Sequence, residues 1–281
     1  MVKLACELPD SVDRSLSLWT CAELARTAAR DEIVDSISPQ SVQRILSCHT
    51  LKPWRVHHWL SAKVERDETF KVTTLNIMDL YTRALERNER VLSIDEKTSI
   101  QPRPRTEATL PPQPGGIPAR LEHEYRRCGA LNLLAAFDTR TGEVIGLCRR
   151  RKRQVEFIEL LEKIHRNTPA FVEHIHLVCD NVRMHRGKLV RAWLEKHRRF
   201  KMHFTPVHCS WMNQIEQWFG LLQRKRLVAP NFTDVAALQE RIEAFIAEWN
   251  ETAHPFRWST SSFDKVLAKC ESAGGSIDIA A

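Results

Sequence analysis

Three acidic residues interrupt segments that are otherwise apolar. Asp95 lies in the run Val-Leu-Ser-Ile-Asp-Glu, Asp180 ends the run Ile-His-Leu-Val-Cys-Asp, and Glu216 is surrounded by Trp, Met, Ile and Phe. A carboxylate buried without a partner is costly, and converging carboxylates repel one another unless a cation lies between them. Hard cations such as Mg²⁺ prefer carboxylate oxygens and leave positions open for water and phosphate. The three acids together predict a divalent-metal site that acts on phosphate groups, although each acid alone is compatible with a structural role.

The segments around these acids predict an α/β domain with a mixed five-stranded sheet. Residues 91–96 form a short apolar strand, and two further apolar runs flank an Asp-Thr-Arg-Thr-Gly-Glu turn that is typical of a β-hairpin. Asp138 opens this turn, so we assign it a structural role. Helix and strand patterns then alternate, and two long amphipathic helices close the chain. The elements predicted after the first strand are 131–137, 144–148, 155–164, 174–179, 189–195, 200–205, 211–227 and 234–249.

Residues 1–66 are predicted to form a small all-α domain. Thr20 and Glu23 have the spacing of a capping box, and Ser38-Pro39 supplies an N-cap and a first-turn proline for a second helix. Two helices spaced in this way favour a helix-turn-helix unit of winged-helix type, with an ordinary helical hairpin as an equal alternative. The second helix and the basic, aromatic stretch 49–66 would then contact DNA. The candidate DNA-binding residues here are Gln40, Ser41, Gln43, Arg44, Lys52 and Arg55.

The rest of the chain divides into three further parts. Apolar residues recur at helical spacing from Phe70 to Leu85, which predicts a connecting helix within 67–90. Residues 91–270 are predicted as the catalytic domain and 271–281 as a flexible tail. Six prolines and two consecutive glycines fall between residues 101 and 130, so we expect a long loop without a regular element there.

Positive charge is concentrated around the predicted site. The chain of 281 residues carries a formal charge of +7, and residues 97–153 contain 12 Lys or Arg against 5 Asp or Glu. A concentrated basic surface suits a polyphosphate such as DNA, whereas a solvated basic face is the simpler alternative. The densest run, a further set of candidate DNA-binding residues, consists of Arg149, Arg150, Arg151, Lys152 and Arg153.

Three sequence blocks together resemble a known family. The blocks are Ser93-Ile94-Asp95-Glu96-Lys97, Val178-Cys179-Asp180-Asn181 with His185 five residues after the aspartate, and Ser210-Trp211-Met212-Asn213-Gln214-Ile215-Glu216. They resemble the three catalytic blocks of DDE transposases, in particular those of the bacterial insertion-sequence branch of the mariner-like superfamily. The likeness extends over nearly the whole chain, and the ordered set of blocks is far more specific than any one of them.

The resemblance implies an RNase H-like catalytic domain in which Asp95, Asp180 and Glu216 hold two Mg²⁺ or Mn²⁺ ions. Such a pair of ions supports in-line displacement at phosphorus, first by water and later by a DNA 3′-hydroxyl. Asp95, from the central strand, is expected to bridge the ions. Asn213 lies one helical turn before Glu216 and is expected to position DNA or a ligand. Residues expected to support the site more indirectly are Asn181 and His185.

The resemblance also implies partners and a location. The expected partners are the terminal inverted repeats of a transposon, a target DNA with a TA preference, and a second copy of the chain in a homodimer. The long loop and the basic run are expected to contact DNA or that second copy. Family members usually carry two helix-turn-helix units, whereas this sequence predicts only one, so a first unit is expected to be missing. The expected location is the bacterial cytoplasm, in association with the nucleoid.

Two other functions stay open on the sequence alone. One is a binding-only relic or repressor whose acids no longer act, which the single helix-turn-helix unit favours. The other is an RNase H-like host nuclease that cuts without strand transfer. The eight cysteines include no C-x-x-C pair, so we expect reduced thiols rather than a zinc site or disulfides. The absence of an apolar run of 18 residues or a signal-peptide pattern predicts an intracellular protein that is not embedded in a membrane.

Overall fold

The computed structural model describes residues 1–55, 67–207, 209–228 and 231–256. The chain divides into two compact units, Met1–Ser61 and Ala62–Ala281. The predicted boundaries at residues 66 and 270, the second half of the basic stretch 49–66 and the predicted tail lie outside the described residues. Within the described segments, no helix combines the length and the apolar character needed to cross a membrane.

Within residues 1–55, the first unit contains three α-helices and no β-strand. Helix α1 spans Val2–Cys6, α2 spans Cys21–Arg30 and α3 spans Pro39–Cys48. Both helices expected from the sequence, α2 and α3, are therefore present. Their shared core, which also contains residues of α1, includes Leu4, Trp19, Leu24, Ala28, Val42 and Leu46.

Side-chain caps begin α2 and α3 at the expected residues. The Thr20 hydroxyl accepts a hydrogen bond from the Glu23 amide, and the Ser38 hydroxyl accepts one from the Ser41 amide. Each cap satisfies a backbone donor that the helix itself leaves unpaired, and stabilises the helix by about 1 kcal/mol. Contact of this unit with DNA stays a prediction. Of its six candidate residues, Ser41 is half-buried, and those that are exposed are Gln40, Gln43, Arg44, Lys52 and Arg55.

The second unit begins with the connecting helix α4, which spans Glu68–Thr82. The Asp67 carboxylate caps it by accepting a hydrogen bond from the Phe70 amide at 2.8 Å. The buried side chains Ile77 and Leu80 pack against residues of two neighbouring strands. Helix α4 is thus attached to the sheet that carries the predicted acids.

Five strands form one mixed sheet, as the sequence predicts. The strands are β1 (Glu89–Ile100), β2 (Leu131–Asp138), β3 (Val144–Arg149), β4 (His174–Cys179) and β5 (Phe200–Phe204). Their order in the sheet is β3-β2-β1-β4-β5. Strand β2 is antiparallel to both β1 and β3, whereas β4 is parallel to both β1 and β5. Strand β1 lies in the centre with a partner on each side.

Helices cover both faces of the sheet. They are α5 (Gln154–Arg166), α6 (Lys188–Lys196), α7 (Ile215–Leu222) and α8 (Val235–Glu251). All of β2 is buried, because Leu133 and Phe137 pack with residues of α7 and α8 while Leu134 packs with residues of α5 and α6. Because both faces of the sheet are buried under helices, successive residues along a strand are apolar and do not alternate with polar residues.

The segment between β1 and β2, here called the arm (residues 101–130), forms an irregular hairpin. The backbones of its two limbs pair at isolated bridges that join Arg105 to Tyr125, Leu110 to Arg120 and Gln113 to Ile117. Proline lacks the amide donor that a continuous ladder needs, which accounts for the widely spaced pairs. The prolines of the arm are Pro102, Pro104, Pro111, Pro112, Pro114 and Pro118. The expectation of a long loop without a regular element is confirmed.

The predicted helix 211–227 is wrong as a single element. The structure has a 3₁₀ turn at Ser210–Met212, then α7, then a π-helical turn at Gln223–Leu227. The break falls at Asn213, whose backbone is extended with φ −87° and ψ 105°. The Asn213 side chain bonds to β1, and this contact from a distant part of the chain outweighs the local helical pattern.

Candidate active site

The three predicted catalytic acids come from adjacent elements. Strands β1 and β4 pair in parallel up to Ser93 and Val178. Two residues further along each strand direction lie Asp95, still within β1, and Asp180, directly after β4. Glu216 is the second residue of α7, which packs on the same part of the sheet. The fold therefore carries the three acids to one region of the domain.

Burial and mutual repulsion perturb these carboxyl groups. Burial is the main cause that raises the pKa of Asp95 to about 7, and the charges of Asp180, Glu96 and Glu216 add to it against a hydrogen bond from the Glu96 amide. Burial also raises the pKa of Glu216, where Lys97 opposes the shift and Asp180 adds to it. The carboxyl groups therefore lie near enough to sense one another's charge. Such a group favours a cation when all its members are ionised.

Asn213 is completely buried and bonds to β1. Its side-chain nitrogen donates to the Asp95 carboxylate at 3.0 Å and to the Ile94 carbonyl at 2.8 Å, and its oxygen accepts a hydrogen bond from the Ser93 hydroxyl. Ser93 in turn accepts a hydrogen bond from the Ile215 amide at 3.0 Å. The expectation that Asn213 faces DNA or a ligand is therefore corrected, because its polar atoms are used inside the protein. Asn213 fixes the orientation of the Asp95 carboxylate.

His185 lies between two carboxylates on the side of the sheet that α5 covers. Its Nδ1 is 3.1 Å from Asp180 Oδ1 and its Nε2 is 3.3 Å from Glu96 Oε2, while its ring packs on Phe157. Burial lowers the pKa of His185, but hydrogen bonds with Asp180, Cys179 and Glu96 outweigh burial and raise the pKa to about 12. Burial favours the neutral form of Asp180, yet the His185 contact leaves the pKa of Asp180 lowered. The result is an imidazolium held between two carboxylates.

Asn181 supports the loop that follows β4. Its side-chain nitrogen donates to the Thr205 carbonyl, and its oxygen accepts a hydrogen bond from Arg186. The Arg186 guanidinium lies 3.9 Å from the centre of the Phe204 ring. Through these contacts Asn181, the residue next to Asp180, links the loop after β4 to the end of β5.

The basic run is divided between internal ion pairs and exposed side chains. Arg149 pairs with Glu159 at 2.6 Å, and Arg153 pairs with Glu156 at 2.6 Å at the start of α5. The exposed residues between them are Arg150, Arg151 and Lys152. Lys152 Nζ also lies 3.8 Å from Glu96 Oε1, so three of the five predicted DNA-binding residues of this run pair with acidic side chains of the protein.

The donors of the site suit a hard divalent cation. Carboxylate oxygens of Asp95, Asp180 and Glu216 are available from three elements, and Asn213 and His185 orient two of them as metal ligands require. Among the described residues, no group of three His, Cys, Asp or Glu side chains is arranged to enclose a metal ion as it stands. The fit rests on the donor chemistry and on the neighbouring carboxylate charges, which add to the effect of burial in raising the pKa values of Asp95 and Glu216.

Sequence reasoning gave no role to Ser93 or Glu96. Ser93 anchors Asn213, and Glu96 contacts His185. The only signal was the presence of these polar residues inside an apolar strand run. Alternation along a strand places Asp95 and Glu96 on opposite faces, so each needs a different set of partners.

Comparisons with known proteins agree with this geometry. A family model described as DDE superfamily endonuclease matches residues 90–239. The "Insertion element IS630 uncharacterized 39 kDa protein" of Shigella sonnei is 25% identical over 134 residues. That match covers 48% of this chain and 38% of the relative, so the chain matches well under half the length of this curated relative.

Solved structures with a similar fold include two of the Mos1 transposase. The Mos1 mariner paired end complex with Mn has a TM-score of 0.51 and 15% identity, and covers 98% of this chain and 79% of that chain. The Mos1 Strand Transfer Complex has a TM-score of 0.50 and 18% identity, with the same coverage. At these identities the likeness concerns the fold, and it confirms the predicted RNase H-like α/β architecture.

The family model spans more than half of the chain and includes all three predicted acids. The protein belongs to the DDE superfamily endonuclease family.

Proposed function

We propose that this protein is a transposase of the insertion-sequence branch of the mariner-like superfamily, which cuts DNA at the ends of its element and joins them to a target. The observation that carries this proposal is the grouping of Asp95, Asp180 and Glu216 in a DDE-family domain, with the pKa values of two of them raised. The relative is named as an insertion-element protein, and the Mos1 structures of similar fold are paired-end and strand-transfer complexes. These names support DNA as the substrate.

The three acids would hold two Mg²⁺ or Mn²⁺ ions, with Asp95 as the bridging ligand. When bound, such ions activate the attacking oxygen and stabilise the leaving oxygen of an in-line displacement. The chain's own residues would prepare the ligands for this role. Asn213 fixes Asp95 and His185 fixes Asp180, so little rearrangement of these side chains is needed on binding.

The partners would be duplex DNA and a second copy of the chain. The terminal inverted repeats of the element would contact α3 of the first unit. The phosphates of the DNA would contact the exposed side chains of the basic run. The same proposal includes a preference for TA target sites and assembly as a homodimer. It also includes a location in the bacterial cytoplasm, in association with the nucleoid. The charge of +7 and the exposed Arg150 and Arg151 support a polyanionic partner.

A cleavage and strand-transfer assay tests this function. The substrate is an end-labelled duplex that carries the DNA flanking the gene, with a supercoiled plasmid as target, in Mg²⁺, Mn²⁺ or EDTA. We expect metal-dependent nicking at the repeat end followed by a joined product. The Asp180→Asn variant should bind the duplex but form neither product, whereas Glu195→Gln, at an exposed position on α6, should act as the wild type does.

Two outcomes would contradict the proposal. Nicking without a joined product would favour an RNase H-like nuclease. Specific binding by folded wild-type protein without any metal-dependent nicking would favour a protein that only binds DNA.

A further inference from the structure

A row of contacting polar side chains leads from the basic run to Asp180. Lys152 Nζ lies 3.8 Å from Glu96 Oε1, Glu96 Oε2 lies 3.3 Å from His185 Nε2, and His185 Nδ1 lies 3.1 Å from Asp180 Oδ1. We propose that Lys152, Glu96 and His185, here called the bracing chain, fix the Asp180 carboxylate for metal binding, with Glu96 and His185 as positioning residues. This inference rests on the proposed function, because it concerns the metal ligands of the same site.

The two inner members of the bracing chain are buried and depend on each other. The side chain of Glu96 is 4% exposed and that of His185 is 0% exposed. Glu96 Oε2 and His185 Nε2 are both buried, and neither makes a hydrogen bond of regular geometry within the described residues, so they meet as a close polar contact at 3.3 Å. A buried charge without a partner is strongly unfavourable, so each of these groups holds the other in place. Their contact therefore sets the rotation of the imidazole ring.

That rotation determines where Asp180 lies. One ring nitrogen is engaged by Glu96, so the other is directed at Asp180 Oδ1, and the Phe157 ring packs 4.6 Å from the imidazole centre. If Glu96 is removed, the imidazole loses the partner on its far side and the Asp180 carboxylate loses a fixed neighbour. Removal of a group that contacts a metal ligand directly, as His185 contacts Asp180, commonly weakens metal binding by 10- to 100-fold, and Glu96 acts by holding that group.

The two aspartates are thus held from opposite faces of the sheet. Asn213, next to α7, fixes Asp95, while the bracing chain, next to α5, fixes Asp180. This division explains why β1 carries two successive acids. Asp95 is directed to one face as a metal ligand, and Glu96 is directed to the other face as part of the support for Asp180.

Lys152 has a smaller part in the chain. Its side chain is 47% exposed and belongs to the basic run, so water and phosphate compete with Glu96 for its ammonium group. Exposed ion pairs contribute little, which predicts a weaker effect on removal than for the two buried members.

Binding of Mn²⁺ alone, measured by electron paramagnetic resonance without DNA, tests the inference. We expect Glu96→Gln and His185→Asn to weaken Mn²⁺ binding by about 10-fold, and Lys152→Met by about 2-fold. Glu96→Asp, which retains the charge at a shorter reach, should give an intermediate value. Glu195→Gln should bind as the wild type does. In an Asp180→Asn background, Glu96→Gln should cause no further loss, because its effect acts through Asp180.

The outcomes separate this inference from the proposed function. Wild-type Mn²⁺ affinity in folded Glu96→Gln or His185→Asn would overturn the bracing chain, while the proposed function would stand. An equal loss from Glu96→Gln with and without Asp180 would also overturn it, since the effect would then be a general structural one. If neither of these variants folds, unchanged affinity in Glu96→Asp decides against the inference. Failure of the wild type to bind Mn²⁺ would overturn the proposed cofactor and the bracing chain together.

Discussion

At the scale of single residues, the site is built from charges that the folded protein accommodates unequally. Burial and neighbouring carboxylates raise the pKa of Asp95 to about 7, whereas the His185 contact helps to keep the pKa of Asp180 low despite burial. Without a cation, the ionised form of Asp95 is therefore an unfavourable charge in the folded state. Bound divalent metal would remove that penalty, so the same group that weakens the metal-free fold would contribute to metal affinity.

Replacement of Asp95 by Asn is expected to stabilise the metal-free protein at high pH. The folded pKa of about 7 lies above the ordinary value of 3.8, so the folded state binds more protons between these values, and the wild-type free energy of unfolding falls as pH rises through that window. The Asp95→Asn variant should lack this fall and be more stable at pH 8 by up to about 4 kcal/mol. Urea unfolding in EDTA across this pH range measures the difference. Asp35→Asn, at an exposed position, is the control, and a wild-type pH profile in Asp95→Asn would contradict the prediction.

Replacement of Asn213 by Asp is expected to destabilise the protein strongly. The variant loses the donors to Asp95 and to the Ile94 carbonyl and places a second carboxyl against Asp95 in a fully buried position. We expect a loss of at least about 2 kcal/mol at pH 8, with partial recovery at pH 5 where both carboxyls can be protonated. Chemical unfolding at the two pH values provides the test. Asn250→Asp, which loses a donor to the Val144 carbonyl, should cost only about 1 kcal/mol. Equal costs at pH 8 for the two variants would argue against the assigned role of Asn213.

At the scale of elements, a tight backbone contact fixes the hairpin of β2 and β3, and β2 pairs with the strand that carries Asp95. The turn between β2 and β3 includes Gly142 at φ +80°, and a Cβ built there would lie 2.1 Å from the backbone of His254. At the tip of the arm, Gly116 has a similar φ of +82° and open space around it. Both positions favour glycine for conformational reasons, but only the first has an additional steric reason.

The two glycines therefore form a matched pair. Gly116→Ala should cost about 1 kcal/mol from backbone strain, whereas Gly142→Ala should cost at least about 2 kcal/mol more because the backbone near His254 must move. Urea midpoints of both variants measure this. Similar losses at the two positions would show that the close approach at Gly142 is unimportant.

Two hydrogen bonds and one longer polar contact form a row that connects α4 to the sheet, and this row is expected to be sensitive to acid. Asn76 Nδ2 lies 3.0 Å from His203 Nδ1, His203 Nε2 lies 2.9 Å from His176 Nδ1, and His176 Nε2 lies 3.6 Å from Glu89 Oε1. Mainly through burial, the pKa of His203 is lowered to about 4 and that of His176 is also lowered. Because the folded values lie below the ordinary value of 6.5, the contribution of these groups is fully present above pH 6.5 and is lost as pH falls towards 4.

Replacement of His203 by Asn should reduce this acid sensitivity. We expect the wild type to lose more stability between pH 7 and pH 5 than His203→Asn does. The urea midpoints of both proteins at the two pH values measure the difference. His123→Asn, an exposed histidine in the arm, should behave as the wild type does. If His203→Asn loses as much stability as the wild type over this range, the lowered pKa of His203 does not contribute.

The elements also show what sequence patterns can predict. The five strands and α4 were predictable because apolar runs and turn residues act locally, and Asp95 and Asp180 were recognisable as acids in strand contexts. The break at Asn213 was not, because it depends on Ser93, which is 120 residues away along the chain. The contact of Glu96 with His185 was likewise hidden, since it follows only from the packing of β1 against the loop after β4.

At the scale of the whole molecule, a positively charged chain carries a cluster of three acids, of which Asp95 is buried, Asp180 half-buried and Glu216 exposed. The charge of +7 attracts a polyanion, whereas Asp95, Asp180 and Glu216 repel it unless cations are bound. Metal would therefore be required for chemistry on DNA but not for binding it. This separation of binding from cleavage is the central claim about the molecule.

The most direct test is metal-dependent nicking of an end-labelled duplex by Asp95→Asn, Asp180→Asn and Glu216→Gln, with DNA binding by the same proteins measured in EDTA. We expect each variant to bind the duplex at least as tightly as the wild type does, since a repelling charge is removed, and to nick it at least about 10³-fold more slowly in Mg²⁺ or Mn²⁺, while Glu195→Gln nicks normally. Normal nicking by any one of the three variants would show that its carboxylate is not a ligand of the catalytic site.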